Sequence, residues 1–160
     1  MPETETADEQ QLEGGPQNGS EGAGLVTLAW AGTGCFVATS IVATIWPDAA
    51  AVPASVLDCL LFVVGVVAFL WAYAIAIGRS RTEEISIAGI YFLAGTAPKV
   101  VRFRLRLAIA VEVVAAVVSA SIRPYTAVAF GVLVPMFGLG LAGLWGARHG
   151  SFPARREPTA

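Results

Sequence analysis

The sequence predicts an all-α membrane protein: a four-transmembrane-helix bundle with a short interfacial or re-entrant helix between spans two and three. Three observations carry that prediction. The 160-residue chain is 56% hydrophobic and only 14% charged, with a mean hydropathy of +0.68. That is too little charge to dilute the apolar surface of a soluble domain of this size. The apolar residues gather in four stretches, at about 25–46, 53–77, 107–122 and 125–147. A helix needs about 20 such residues to cross a hydrocarbon core about 30 Å thick, and only the third stretch falls slightly short. The runs are also unbroken, as in Leu60-Leu61-Phe62-Val63-Val64, whereas a barrel strand alternates polar and apolar positions over about ten residues.

Taken in chain order, residues 1–24 read as a disordered acidic tail. Glu3, Glu5, Asp8, Glu9, Glu13 and Glu21 sit among Gly, Gln, Ser, Pro and Thr, and such composition cannot bury enough surface to fold. The tail has no Lys or Arg, so it lacks the basic start of a cleaved signal peptide, and 25–46 reads as a true span. Asn18-Gly19-Ser20 matches the glycosylation sequon, a short and weak pattern. Cys35 and Cys59 fall in spans one and two. By helical rise they lie about 16 Å and about 9 Å from the outer helix ends, too far apart in level for a disulfide. Both read as small packing residues. His149, the only histidine, has no ligand spacing around it, so no metal site is expected.

Orientation follows from Lys and Arg near the span ends. Arg79, Arg81, Lys99, Arg102, Arg104 and Arg106 lie between spans two and three, and Arg148, Arg155 and Arg156 follow span four. The loop 47–52 has no basic residue and the turn 123–124 has only Arg123. The expectation is a cell-membrane protein with both termini, including the tail 148–160, in the cytoplasm. Trp46 and Tyr125 fall at the outer ends, and Trp30, Trp71, Tyr73 and Trp145 toward the inner ends, as aromatic belts require. The segment 85–97 is mostly apolar but too short to span. It reads as an interfacial or re-entrant helix flanked by cations suited to an anionic leaflet, or as a lid packed beneath the bundle.

Two ionisable residues lie inside the spans, Asp58 and Glu112, and such residues mark functional sites by default. Counted along their helices they sit about 14 Å apart in level, so they should not share a proton or a metal. Arg123 is the expected partner of Asp58. Trp30 and Tyr73, both hydrogen-bond donors, are the expected partners of Glu112. Glu112 reads either as a satisfied carboxyl locking the bundle or as a protonatable group in a transport path. Small residues form packing stripes at Gly138, Ala142 and Gly146 in span four and at Ala68, Ala72 and Ala76 in span two. Gly138-Leu139-Gly140-Leu141-Ala142-Gly143 spells a dinucleotide-binding fingerprint, but the strand that motif needs is missing, so packing is the reading. Pro135 should kink span four and free the carbonyl of Gly131.

The stretch 125–150, with Gly138-Leu139-Gly140-Leu141-Ala142-Gly143-Leu144-Trp145-Gly146-Ala147-Arg148-His149-Gly150 at its end, resembles a group of small, uncharacterised four-span actinobacterial membrane proteins. Ala88-Gly89-Ile90-Tyr91-Phe92-Leu93-Ala94-Gly95 fits the same resemblance. Nine Arg to one Lys also suits a high-GC genome. The resemblance implies a host class and no mechanism. No nucleophile–base pair, phosphate loop or metal cluster is legible, so the chain is expected to be non-enzymatic. It should have no cofactor and no nucleic-acid partner. Its expected surroundings are the lipid bilayer and either copies of itself or other membrane subunits. The alternative is a small transporter or channel component that uses Glu112 as a proton- or ion-responsive group.

Overall fold

The computed structural model describes residues 18–154, and their side chains from residue 22 onward. Most of the expected acidic tail, residues 1–17, lies outside the described residues, as do Arg155 and Arg156. The fold is all-helical, with four helices long and apolar enough to cross a membrane. Helix α1 runs Asn18–Ile45, α2 Pro47–Arg79, the short α3 Ile87–Tyr91 and α4 Lys99–Ile122. The fourth span combines a 3-10 helix, Ala127–Leu133, with α5, Pro135–His149.

Helices continue where hydropathy stops. The intrahelical ladder needs only favourable backbone geometry, so α4 begins at Lys99 and carries Arg102, Arg104 and Arg106 in its first turns. The apolar run alone begins at 107. Likewise 47–52 is not a loop. Trp46 (φ −122°, ψ 70°) joins α1 to α2, and Pro47 opens α2 at its first turn, where its missing N–H costs nothing. At 33 residues, α2 is about 50 Å long. It must tilt, or its ends must leave the hydrocarbon.

Helices α1, α2 and α4 each turn one narrow face inward. In α1 the buried positions are Gly22, Val26, Ala29, Thr33, Phe36, Ser40 and Ala43, a heptad spacing. In α2 they are Ala54, Asp58, Gly65, Ala68, Ala72 and Ala76, and in α4 Leu105, Ala108, Glu112, Ala116 and Ser119. Span four is the hub: half of its apolar window is buried, against 22–28% for the other three. Glycine makes this possible. A Cβ on Gly140 would strike the carbonyl oxygen of Gly65, and one on Gly65 would fall 2.5 Å from the Cα of Phe137. The backbones of α2 and α5 therefore touch directly.

Span four is not a kinked helix, which corrects the expectation for Pro135. The 3-10 turns close before the proline: Val134 N–H donates to the Gly131 carbonyl at 3.1 Å, so that carbonyl is not freed. Pro135 then starts α5 afresh.

The segment between spans two and three packs against the bundle. The Ser86 side chain caps α3 by accepting from Gly89 N–H. Ile90, Tyr91 and Leu93 are buried. The Tyr91 ring stacks on Phe69 at 4.3 Å, and its hydroxyl donates to the Phe69 carbonyl at 3.2 Å. Burial, and secondarily the nearby Tyr73, hold the Tyr91 hydroxyl above its ordinary pKa, which keeps it a donor. A Cβ on Gly143 would meet the Tyr91 ring, and one on Gly146 the Ile90 carbonyl.

Candidate functional site

Glu112 is fully buried near the middle of α4. It lies 13 residues after Lys99, about 20 Å along the helix, because α4 starts earlier than its apolar run. Its carboxyl joins three spans. Oε1 lies 2.7 Å from the Thr33 hydroxyl of α1, and Oε2 accepts from the backbone N–H of Gly138 in α5 at 3.2 Å. The second contact follows from the break in span four. Pro135 has no N–H, and the Val134 carbonyl accepts from Phe137 at 2.7 Å. The first-turn N–H of Gly138 then points at α4, and in lipid such a group must be satisfied within the protein. Gly138 also supplies the room, since a Cβ there would lie 2.5 Å from Oε2.

The proton count at this junction is informative. The Thr33 hydroxyl is also 2.8 Å from the Ala29 carbonyl, and its single proton serves one acceptor at a time. An ionised Glu112 takes that proton. A protonated Glu112 would donate to Thr33 Oγ1, and the threonine proton would go to Ala29. The arrangement can therefore hold Glu112 in either state with its hydrogen bonds satisfied.

Asp58 is 2% exposed and faces the 3-10 half of span four. A Cβ on Gly131 would lie 3.6 Å from its Oδ2, while Oδ1 has no hydrogen-bond partner among the described residues. The residues that these carboxyls face, Gly131 and Gly138, are seven positions apart, about 10–14 Å of rise.

The expected partners of both carboxyls differ from those observed. Arg123 donates to the Thr44 carbonyl through Nε (3.3 Å) and one terminal nitrogen (3.1 Å), tying the far ends of α4 and α1. It is not paired with Asp58. Trp30 and Tyr73 are exposed on the outer surface, and Glu112 is served by Thr33 and Gly138 instead. Cys35 and Cys59 are exposed rather than packed, and Trp145 is buried in the core rather than set in a belt. Ala68, Ala72, Ala76 and Ala142 are buried. Gly138, Ala142 and Gly146 do not form one helix–helix seam, because Gly138 faces α4 and Gly146 faces α3.

Sequence reading missed Thr33, whose signal was its place on the inward heptad of α1. It also missed the role of Arg79. This residue pairs with Glu83 at 2.8 Å, donates to the carbonyls of Ala147 (2.8 Å) and Gly150 (3.0 Å), and lies over the Phe152 ring. The end of α2 is thereby fastened to the end of span four. No protein-family model, no curated protein and no solved structure matches this chain.

Proposed function

We propose that this chain is a non-enzymatic structural or accessory membrane protein, working as a homo-oligomer or within a larger membrane complex. It would sit in the cell membrane with both termini cytoplasmic, and its host class would be the actinobacterial one that the resemblance implies. The observation that carries this reading is the Glu112 junction. Its carboxyl is enclosed between α1, α4 and α5 and spends both oxygens on neighbouring helices, the disposition of a lock rather than of a group awaiting a substrate. Outward-facing small residues on α1, Gly24, Ala31, Gly34, Cys35 and Ala38, offer a face on which a further helix can approach closely.

A second reading, a small transporter or channel component, is favoured by one observation: Thr33 can serve either protonation state of Glu112. One comparison separates the two. Wild-type protein and Glu112→Gln are purified in mild detergent, their associated subunits identified by mass spectrometry, and both are reconstituted for proton-flux measurement. The structural reading expects a stoichiometric assembly in both and no flux above protein-free vesicles. Flux in the wild type that disappears in Glu112→Gln, with assembly intact, favours the transporter reading.

A further inference from the structure

The first two turns of α4 carry Lys99, Arg102, Arg104 and Arg106 within eight residues. Arg106 is engaged, donating to the Phe92 carbonyl at 2.5–2.9 Å. Among the described residues the only ion pair is Arg79–Glu83, so Lys99, Arg102 and Arg104 have no carboxylate partner there. Lys99 and Arg104 border a groove of about 990 Å³ between the N-terminal halves of α1 and α4. Apart from Thr27 its other walls are apolar, with Val26, Trp30, Phe103 and Leu107 among them. Trp30 and Phe103 are 38% and 66% exposed, so the described residues leave part of each ring open.

The groove has a charged end and an apolar end. From Lys99 to Leu107 the helix rises about 12 Å, roughly the step from a bilayer's headgroup region into its acyl chains. A second copy of the chain in the same orientation would bring its own cations to the same level, and like charges would oppose it. An anion with an apolar tail meets both requirements. We propose that this groove binds an anionic phospholipid. The headgroup phosphate sits on Lys99 and Arg104, and an acyl chain lies against Trp30, Phe103 and Leu107.

Trp30 provides the readout. The full chain is reconstituted in phosphatidylcholine vesicles doped with phosphatidylglycerol or phosphatidylcholine brominated on its acyl chains. A Trp30→Phe sample measured in parallel isolates the Trp30 emission. The expected result is several-fold stronger quenching of Trp30 by the brominated anionic lipid than by the brominated zwitterionic one. The double variant Lys99→Gln/Arg104→Gln should erase that difference with helical content unchanged. The variant Arg81→Gln/Arg148→Gln, which removes the same charge from exposed positions outside the groove, should keep it. Equal quenching by the two lipids in the wild type would overturn the proposal. So would an equal loss of preference in both double variants, because that would mean a diffuse surface attraction rather than a site.

Discussion

At Glu112 the chemistry of one side chain repairs the backbone of another helix. The break at Pro135 leaves the Gly138 N–H without a helical acceptor, and the carboxyl of α4 accepts from it. Thr33 completes the junction from α1. Thr33→Val should therefore lower stability by about 0.5–2 kcal/mol, the range found for hydrogen bonds between membrane helices, read from unfolding in mixed micelles. Asp58 should behave differently. Its Oδ1 has no partner among the described residues, and an amide is less costly to bury than a carboxylate. Asp58→Asn should keep or raise the unfolding midpoint, and a loss of about 1 kcal/mol or more would show that position 58 needs its charge. Both carboxyls were legible in the sequence because an ionisable residue in an apolar run is conspicuous. Their partners were not. Counting along a helix gives depth, but which residues face one another depends on helix rotation and tilt. Thr33, one of several hydroxyls in α1, became significant only once the inward heptad was known.

Among the elements, span four organises the rest, and the glycines of the bundle differ in what they do. Gly140 lies against the Gly65 carbonyl, while Gly78 of α2 faces open space. Gly140→Ala should destabilise by about 1–3 kcal/mol through overpacking. Gly78→Ala should be neutral or stabilising by up to about 1 kcal/mol, since alanine is the better helix former. Thermal unfolding of the two variants side by side checks the contrast. Arg79 is the corresponding clamp at the basic end. Arg79→Gln should free the connection after α2, and faster tryptic cleavage at Arg81, with the rest of the bundle intact, would report it. The number and order of the spans could be read from hydropathy because lipid demands long apolar helices. Helix ends could not, since hydropathy marks the hydrocarbon while the backbone ladder runs on to Lys99 and back to Pro47. Proline in an apolar run suggested a kink, and the local preference for 3-10 closure before it gave a restart.

For the whole molecule, the start of α1, the end of α2, the segment after it and the end of span four meet at one end. Gly22 abuts Trp145, Arg79 reaches Ala147, and Glu84 N–H donates to the Pro153 carbonyl. That end carries most of the cations, so the positive-inside rule predicts that it faces the cytoplasm. With Cys35 and Cys59 replaced by alanine, a cysteine at Asp48 should label from outside intact cells, and cysteines at Thr82 and Ser151 should not. The reverse pattern would invert the orientation.

The most direct test of the lock compares Glu112→Gln with Glu112→Ala in one unfolding experiment on the purified protein. Glutamine can donate to Thr33 and accept from Gly138, so its midpoint should stay close to wild type. Alanine leaves the Gly138 N–H unsatisfied and opens a cavity between three spans, and should cost about 2–5 kcal/mol. Equal midpoints for wild type, Gln and Ala would contradict the claim that Glu112 holds this bundle together.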